Sequence, residues 1–140
     1  IKGGNAVDHT GLAAVLSSND MGGTIGAAWG PLMQRGVEVI VPIGLEKLIP
    51  DVREAVEFMA GHAVDEAIGD KVGLMPVLGA KVITEITALE VLYQVHAKCI
   101  AAGGVNGSEG AVVLVVEGEE EQVKKTMQGI KAIKGEPPVR

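Results

Sequence analysis

Residues 12–26 read LAAVLSSNDMGGTIG and pass from an apolar run through a polar turn into a glycine-rich segment. The apolar run at 12–17 is short and uninterrupted, which is typical of a buried strand. The polar residues and glycines that follow are typical of a loop that opens a helix. That helix is predicted to continue to residue 35, with Gly36 just beyond its end. The stretch therefore predicts a strand, a loop and a helix in succession.

The same alternation continues along the rest of the chain. Further strands are predicted at the apolar runs 37–42 (VEVIVP) and 111–116 (AVVLVV). The run at 73–78 is interrupted by Pro76 and is either an edge strand or an extended loop, and residues 81–83 either belong to it or lead into the next helix. The spacing of apolar residues predicts helices at 50–68, 85–102 and 118–134. Alternating helices and strands, with strands apolar on both faces, favour an α/β fold. We expect a three-layer α/β/α sandwich with a mainly parallel sheet of about four or more strands.

The size and composition of the chain predict one globular domain. The chain has 140 residues, and 47% of them are apolar, which is typical of a folded rather than a disordered protein. We expect a single α/β domain over residues 1–135 and a loose tail at 136–140. The one cysteine excludes an internal disulfide and a zinc site built from several cysteines.

The charge of the chain argues against two classes of partner. There are 12 basic and 18 acidic residues, which give a net charge of −6 at pH 7. An acidic chain without a basic cluster is a poor binder of nucleic acid or of an anionic membrane. No apolar run reaches the roughly 18 residues of a membrane span, and no signal peptide is evident, so we expect a cytoplasmic protein. Because the chain begins at Ile1 and not at methionine, whether it is a fragment of a longer protein stays open.

Polar residues follow the predicted strands at the edge where a parallel sheet binds its ligands. We predict ligand-binding residues in three groups: Ser18, Asn19, Asp20, Gly22, Gly23 and Thr24 after the first strand; Gly44, Glu46 and Lys47 after the second; and Thr84 and Glu85 before the third helix. The first group is the most informative, because backbone amides at a helix start attract phosphate or carboxylate. The alternative for that group is a plain turn with a capping residue. The glycines match neither a P-loop nor a dinucleotide fingerprint.

The other two groups each have a simpler alternative. Lys47 could hold an anion and Glu46 could act as a base, or the two could form a solvated ion pair. Thr84 and Glu85 offer a hydroxyl and a carboxylate, but capping of the helix explains them equally well.

Two further groupings of reactive side chains have ordinary explanations. His62, Asp65 and Glu66 have helical spacing that can hold a metal ion, but the same spacing is routine on solvated helices. His96 and Cys99 lie three residues apart on a predicted apolar helix, where a thiol is usually inert packing. We therefore predict no metal site and no cofactor. Whether the protein catalyses a reaction stays open.

The N-terminal third resembles a known superfamily. The turn GGNAVD at residues 3–8, Gly11, the pair Gly23-Thr24 and the strand at 37–42 are similar to the order of features in the ribose-phosphate isomerase and CoA-transferase-like superfamily. The resemblance covers about residues 1–45, and Asn5 stands where that pattern commonly has Asp. It implies that Asn5, Asp8, Gly23 and Thr24 face a phosphorylated or carboxylated small molecule.

Two functions follow from these patterns. The first is binding of a small anionic metabolite, phosphorylated or carboxylated, at the carboxyl ends of the strands. The second is a non-catalytic regulatory or assembly domain that forms a homo-oligomer through the apolar helix predicted at 85–102.

Overall fold

The computed structural model describes residues 1–61 and 63–137. The chain divides into two compact units, Ile1–Thr84 and Glu85–Arg140. Part of the tail predicted at 136–140 lies outside the described residues, which end at position 137.

The first unit contains five strands and two helices. The strands are β1 (Ala6–Val7), β2 (Ala13–Ser17), β3 (Ile40–Pro42), β4 (Gly73–Pro76) and β5 (Lys81–Ile83). The helices are α1 (Gly23–Gln34) and α2 (Val52–Met59), and a 3-10 turn lies at Leu45–Lys47. Gly36 follows α1 in the left-handed conformation, with φ of 62°, as expected of a residue just past a helix end.

Strand β2 is the centre of this unit. It pairs antiparallel with β1 on one side and with β4 on the other, and Ser17 lies opposite Gly73. Strands β3 and β5 form a separate parallel pair. A further, isolated parallel bridge joins Val7 of β1 to Leu48.

The two faces of β2 are both buried. Ala13 packs in a cluster with Val41 and with Ile25 of α1, while the next residue, Ala14, packs in a second cluster with Val52 of α2. Successive side chains of a strand point to opposite faces, so neighbouring alanines reach different clusters. Helices α1 and α2 thereby cover opposite sides of β2.

The second unit contains two helices and a hairpin. These are α3 (Glu85–Tyr93), β6 (His96–Ala102), β7 (Val112–Glu117) and α4 (Glu120–Ile133). Strands β6 and β7 pair antiparallel. Leu89 of α3, Ala97 of β6 and Ile130 of α4 belong to one apolar cluster, so both helices pack on the same face of the hairpin.

The predicted three-layer sandwich with a mainly parallel sheet is wrong. Among the described residues, the strands form three small sheets, and β3–β5 is the one parallel strand pair. The antiparallel pairing of β2 with β1 and β4 is one departure from the prediction, and the segment predicted as one helix at 85–102 is another. Gln94 has a φ of 56°, which ends α3, and the chain returns as strand β6. Short apolar segments fit a buried helix and a buried strand equally well, so periodicity alone did not separate the two.

Candidate functional site

A cleft of about 770 Å³ opens in the first unit beside the loop that follows β2. The loop residues that line it are Ser17, Ser18, Asn19, Asp20, Met21 and Gly22. The opposite wall is mostly apolar and comes from the end of α2, the segment after it and β4. Its residues include Val56, Met59, Val64, Val72, Leu74 and Met75, and Lys71 also lines the cleft.

Asn19 organises the loop. Its side-chain Oδ1 accepts hydrogen bonds from the backbone amides of Met21 at 2.9 Å and Gly23 at 3.3 Å. Its carbonyl accepts from the Gly22 amide at 2.8 Å, and its own amide donates to Ser17 Oγ at 3.2 Å. Because Oδ1 is engaged within the loop, the Nδ2 group of Asn19 is left as a donor on the other side of the amide.

The sequence predicts that the backbone amides of Gly22 and Gly23 bind an anion. In the structure, both amides already donate to acceptors inside the loop. For Gly22 and Gly23, the geometry is that of a turn capped by an asparagine. Thr24 is exposed and is not among the lining residues of the cleft. The donors available to a ligand are instead the side chains of the loop.

Close packing at the start of α1 depends on two glycines. Gly22 has a φ of 76°, and a Cβ added there would lie 2.7 Å from Met75 Cε. A Cβ on Gly26 would overlap the carbonyl oxygen of Met21. The absence of both side chains lets the loop cross the helix and lets Met75 of β4 lie against it.

Lys71 lines the cleft but is not among the residues that the sequence predicts for a site. The antiparallel register sets Gly73 opposite Ser17, so the residues just before β4 lie beside the loop that follows β2. Lys71 is exposed, lines the cleft and has no ion pair with a described residue. An isolated lysine ahead of a weak strand carries no signal of this position, because only the strand pairing brings it to the loop.

The second predicted group lies outside the cleft lining. Lys47 Nζ donates to the carbonyl of Gly4 at 3.1 Å. The carboxylate of Glu46 lies against Gly44, in the space that a Cβ of Gly44 would need. Asn5 likewise serves the backbone, since its Oδ1 accepts from the Leu16 amide at 3.0 Å. These side chains hold the chain around β1 and β2 together.

Asp8 is a buried structural carboxylate. Its Oδ1 accepts from the Thr10 amide at 2.9 Å, the Thr10 hydroxyl at 2.6 Å and the Leu12 amide at 3.2 Å, and its Oδ2 accepts from the Val52 amide at 2.9 Å. Burial acts to raise the pKa of Asp8, but these hydrogen bonds outweigh it and hold the pKa below its ordinary value. Both oxygens are thus engaged in joining the β1–β2 turn to the start of α2.

The remaining predicted residues are dispersed. Thr84 ends the first unit and Glu85 begins α3, and both are half-buried. His96 and Cys99 lie on strand β6, where a spacing of three residues places them on opposite faces. His62 lies outside the described residues. Within 1–61 and 63–137, no three His, Cys, Asp or Glu residues form a group that could hold a metal ion.

No described helix has both the length and the apolar composition of a membrane span. The resemblance of residues 1–45 to the ribose-phosphate isomerase and CoA-transferase-like superfamily stays a prediction. Family models, curated proteins and solved structures were all compared with this chain, and none of the three comparisons finds a match.

Proposed function

We propose that the protein binds a small anionic metabolite, phosphorylated or carboxylated, in the cleft beside the β2–α1 loop. The observation that carries the proposal is the position of Lys71 in the wall of the cleft that the loop also lines. Its ammonium group supplies a positive charge with no ion-pair partner among the described residues. The hydroxyls of Ser17 and Ser18 and the Nδ2 of Asn19 supply neutral donors in the same wall.

The surroundings of this charge favour a bound anion. Apolar side chains form most of the opposite wall, and such walls reduce the screening that water would provide. Among the described residues that line the cleft, Lys71 and Asp20 are the charged ones, so an anion held by Lys71 meets one opposing carboxylate. Charge-assisted hydrogen bonds from lysine are stronger than neutral ones, and Lys71 is therefore expected to contribute most of the affinity.

Thermal unfolding in the presence of inorganic phosphate, sugar phosphates, nucleotides and small carboxylates tests the proposal. A ligand at about 100 times its dissociation constant should stabilise the protein by roughly 2.7 kcal/mol. We expect Lys71→Met to weaken binding of any such ligand at least tenfold. Lys131→Met removes the same charge from an exposed position in α4 and should leave binding unchanged. The absence of any shift, or an equal loss in both variants, would contradict the proposal.

A second candidate function is assembly through α3. Val91 and Leu92 are 72% and 71% exposed on this helix, while Leu89 faces the apolar cluster of its own unit. Adjacent exposed branched side chains on a helix are typical of a subunit contact. Sedimentation velocity over a range of concentrations should then show a dimer or a higher oligomer that Leu92→Lys dissociates. A monomer at every concentration would exclude this function.

A further inference from the structure

We propose that the ligand of this cleft is an amphipathic anion with a single anionic head: one carboxylate or phosphate on a linear apolar chain. This inference rests on the proposed function, because the head occupies the site of Lys71. It adds the chemical class of the ligand. The observation behind it is a second, apolar groove that shares three lining residues with the cleft.

The groove and the cleft share part of their walls. The groove has a volume of about 440 Å³, and Met59, Val72 and Leu74 line both spaces. On the far side of these shared residues, the groove is lined by Leu16 and Phe58. The proposal places the head of the ligand near Lys71 and its apolar chain over these shared residues, toward the groove.

The strand register places the apolar wall of the groove next to the polar loop of the cleft. Leu16 of β2 lies opposite Leu74 of β4, so the two side chains are cross-strand neighbours on one face of the sheet. The C-terminal part of α2 covers the same face through Met59. Ser17 is next to Leu16 in the chain, so the polar loop begins where this apolar pair ends.

Two apolar side chains of the groove are exposed to solvent. Phe58 is 79% exposed and Leu16 is 46% exposed. Single exposed apolar residues are ordinary, but these two lie in one groove that is joined to a charged cleft. Burial of such surface is what the apolar chain of a ligand would gain.

The methionines favour a flexible chain over a rigid ring system. Met21 and Met75 line the cleft, and Met59 lines the junction with the groove. Methionine is unbranched and has three rotatable side-chain bonds, so it adjusts to chains of different length and conformation.

Two carboxylates make the far end of the groove selective. Asp51 and Glu54 line the groove at the start of α2. A second anionic group at the end of the chain would be repelled by these carboxylates and would lose hydration in an apolar groove. The structure therefore favours a ligand with one anionic group over a dicarboxylate of the same length.

Calorimetric titration with linear monocarboxylates and alkyl phosphates of two to ten carbons, each below its micelle concentration, tests the inference. We expect affinity to rise about two- to fourfold with each methylene until the groove is filled. The dicarboxylate with as many carbons as the best monocarboxylate should bind at least tenfold more weakly. In Phe58→Ser, each added methylene should raise the affinity less than in the wild type. The affinity for the shortest ligands should stay the same.

Ile68→Ser is the matched control, because Ile68 is fully exposed and lines neither space. It should reproduce the chain-length dependence of the wild type. Affinity that is independent of chain length but lost in Lys71→Met would overturn the inference and leave the proposed function standing. A chain-length dependence that Phe58→Ser leaves intact would also overturn it. Failure of every anion to bind would overturn the proposed function itself.

Discussion

At the scale of single residues, Asp8 shows how a polar side chain can be buried for structural reasons. It is 5% exposed and accepts four hydrogen bonds, three of them from backbone amides. Backbone amides near a turn and at a helix start have no partner in the regular structure, so a carboxylate is a suitable acceptor. One aspartate thereby stabilises both the β1–β2 turn and the start of α2.

Asp8→Asn is expected to destabilise the protein by about 1–3 kcal/mol at pH 7, because a neutral amide cannot accept from all four donors. Because the folded-state pKa of Asp8 is lowered, its stabilising effect is complete above the pKa of an unfolded aspartate, about 3.9. That effect is lost as the pH falls through the lower, folded-state pKa. Urea unfolding between pH 7 and 2 should show the wild type and Asp8→Asn converging toward the acid end.

Asp70→Asn is the control for Asp8, since Asp70 is exposed. Its unfolding free energy should match that of the wild type at pH 7. A constant difference between wild type and Asp8→Asn over the whole pH range would show that the charge of Asp8 has no part in the stability.

At the scale of elements, the close crossing of the β2–α1 loop over α1 can be tested at Gly26. Replacing a glycine inside a helix by alanine ordinarily stabilises a protein by about 0.5–1 kcal/mol. At Gly26 the added methyl group would fall on the carbonyl of Met21, and a backbone carbonyl cannot move without a shift of the loop. We expect Gly26→Ala to destabilise the protein by about 1–3 kcal/mol, measured by urea unfolding.

Ala27→Gly is the companion variant, because Ala27 is exposed in the same helix. It should lower the unfolding free energy by about 0.5–1 kcal/mol, as helix propensity alone requires. If Gly26→Ala instead raised the unfolding free energy, the carbonyl of Met21 would not lie against Gly26, and the loop would not cross α1 at this residue.

At the scale of the whole molecule, each apolar cluster draws its residues from one unit. The two clusters around β2 lie within Ile1–Thr84, and the cluster around Leu89 lies within Glu85–Arg140. Truncation of a buried residue should therefore weaken chiefly its own unit. Ile43→Ala and Leu89→Ala each remove a buried aliphatic side chain, with an expected loss of about 2–5 kcal/mol.

Amide hydrogen exchange shows which unit loses stability in each variant. In Leu89→Ala, exchange should accelerate in β6, β7 and α4, and in Ile43→Ala it should accelerate in the strands of the first unit. Equal acceleration throughout the chain in both variants would mean that the two units unfold together.

The local elements were the part of the fold that the sequence predicted best. The expected strand at 12–17 corresponds to Ala13–Ser17, and the expected helix at 118–134 corresponds to Glu120–Ile133. Apolar periodicity and glycine stops are local signals, and they specify a local structure. At 85–102 the local signals were ambiguous, since Gln94 is not a residue that marks a helix end by its type.

Local sequence patterns predict the positions of β2, β7 and α4 and the loop after β2, because those depend on propensities and hydrogen bonds between near neighbours. The helix predicted at 50–68, in contrast, ends at Met59. Only the tertiary structure decided how the strands pair, because pairing depends on contacts between residues far apart in the chain. The pairing of β2 with β4 sets Gly73 opposite Ser17, so Lys71, two residues earlier, lines the same cleft as the loop. A separate long-range contact joins Asp8 to the Val52 amide. The candidate site belongs to this second kind of information: no local pattern marks Lys71, and its position follows from the register of β2 and β4.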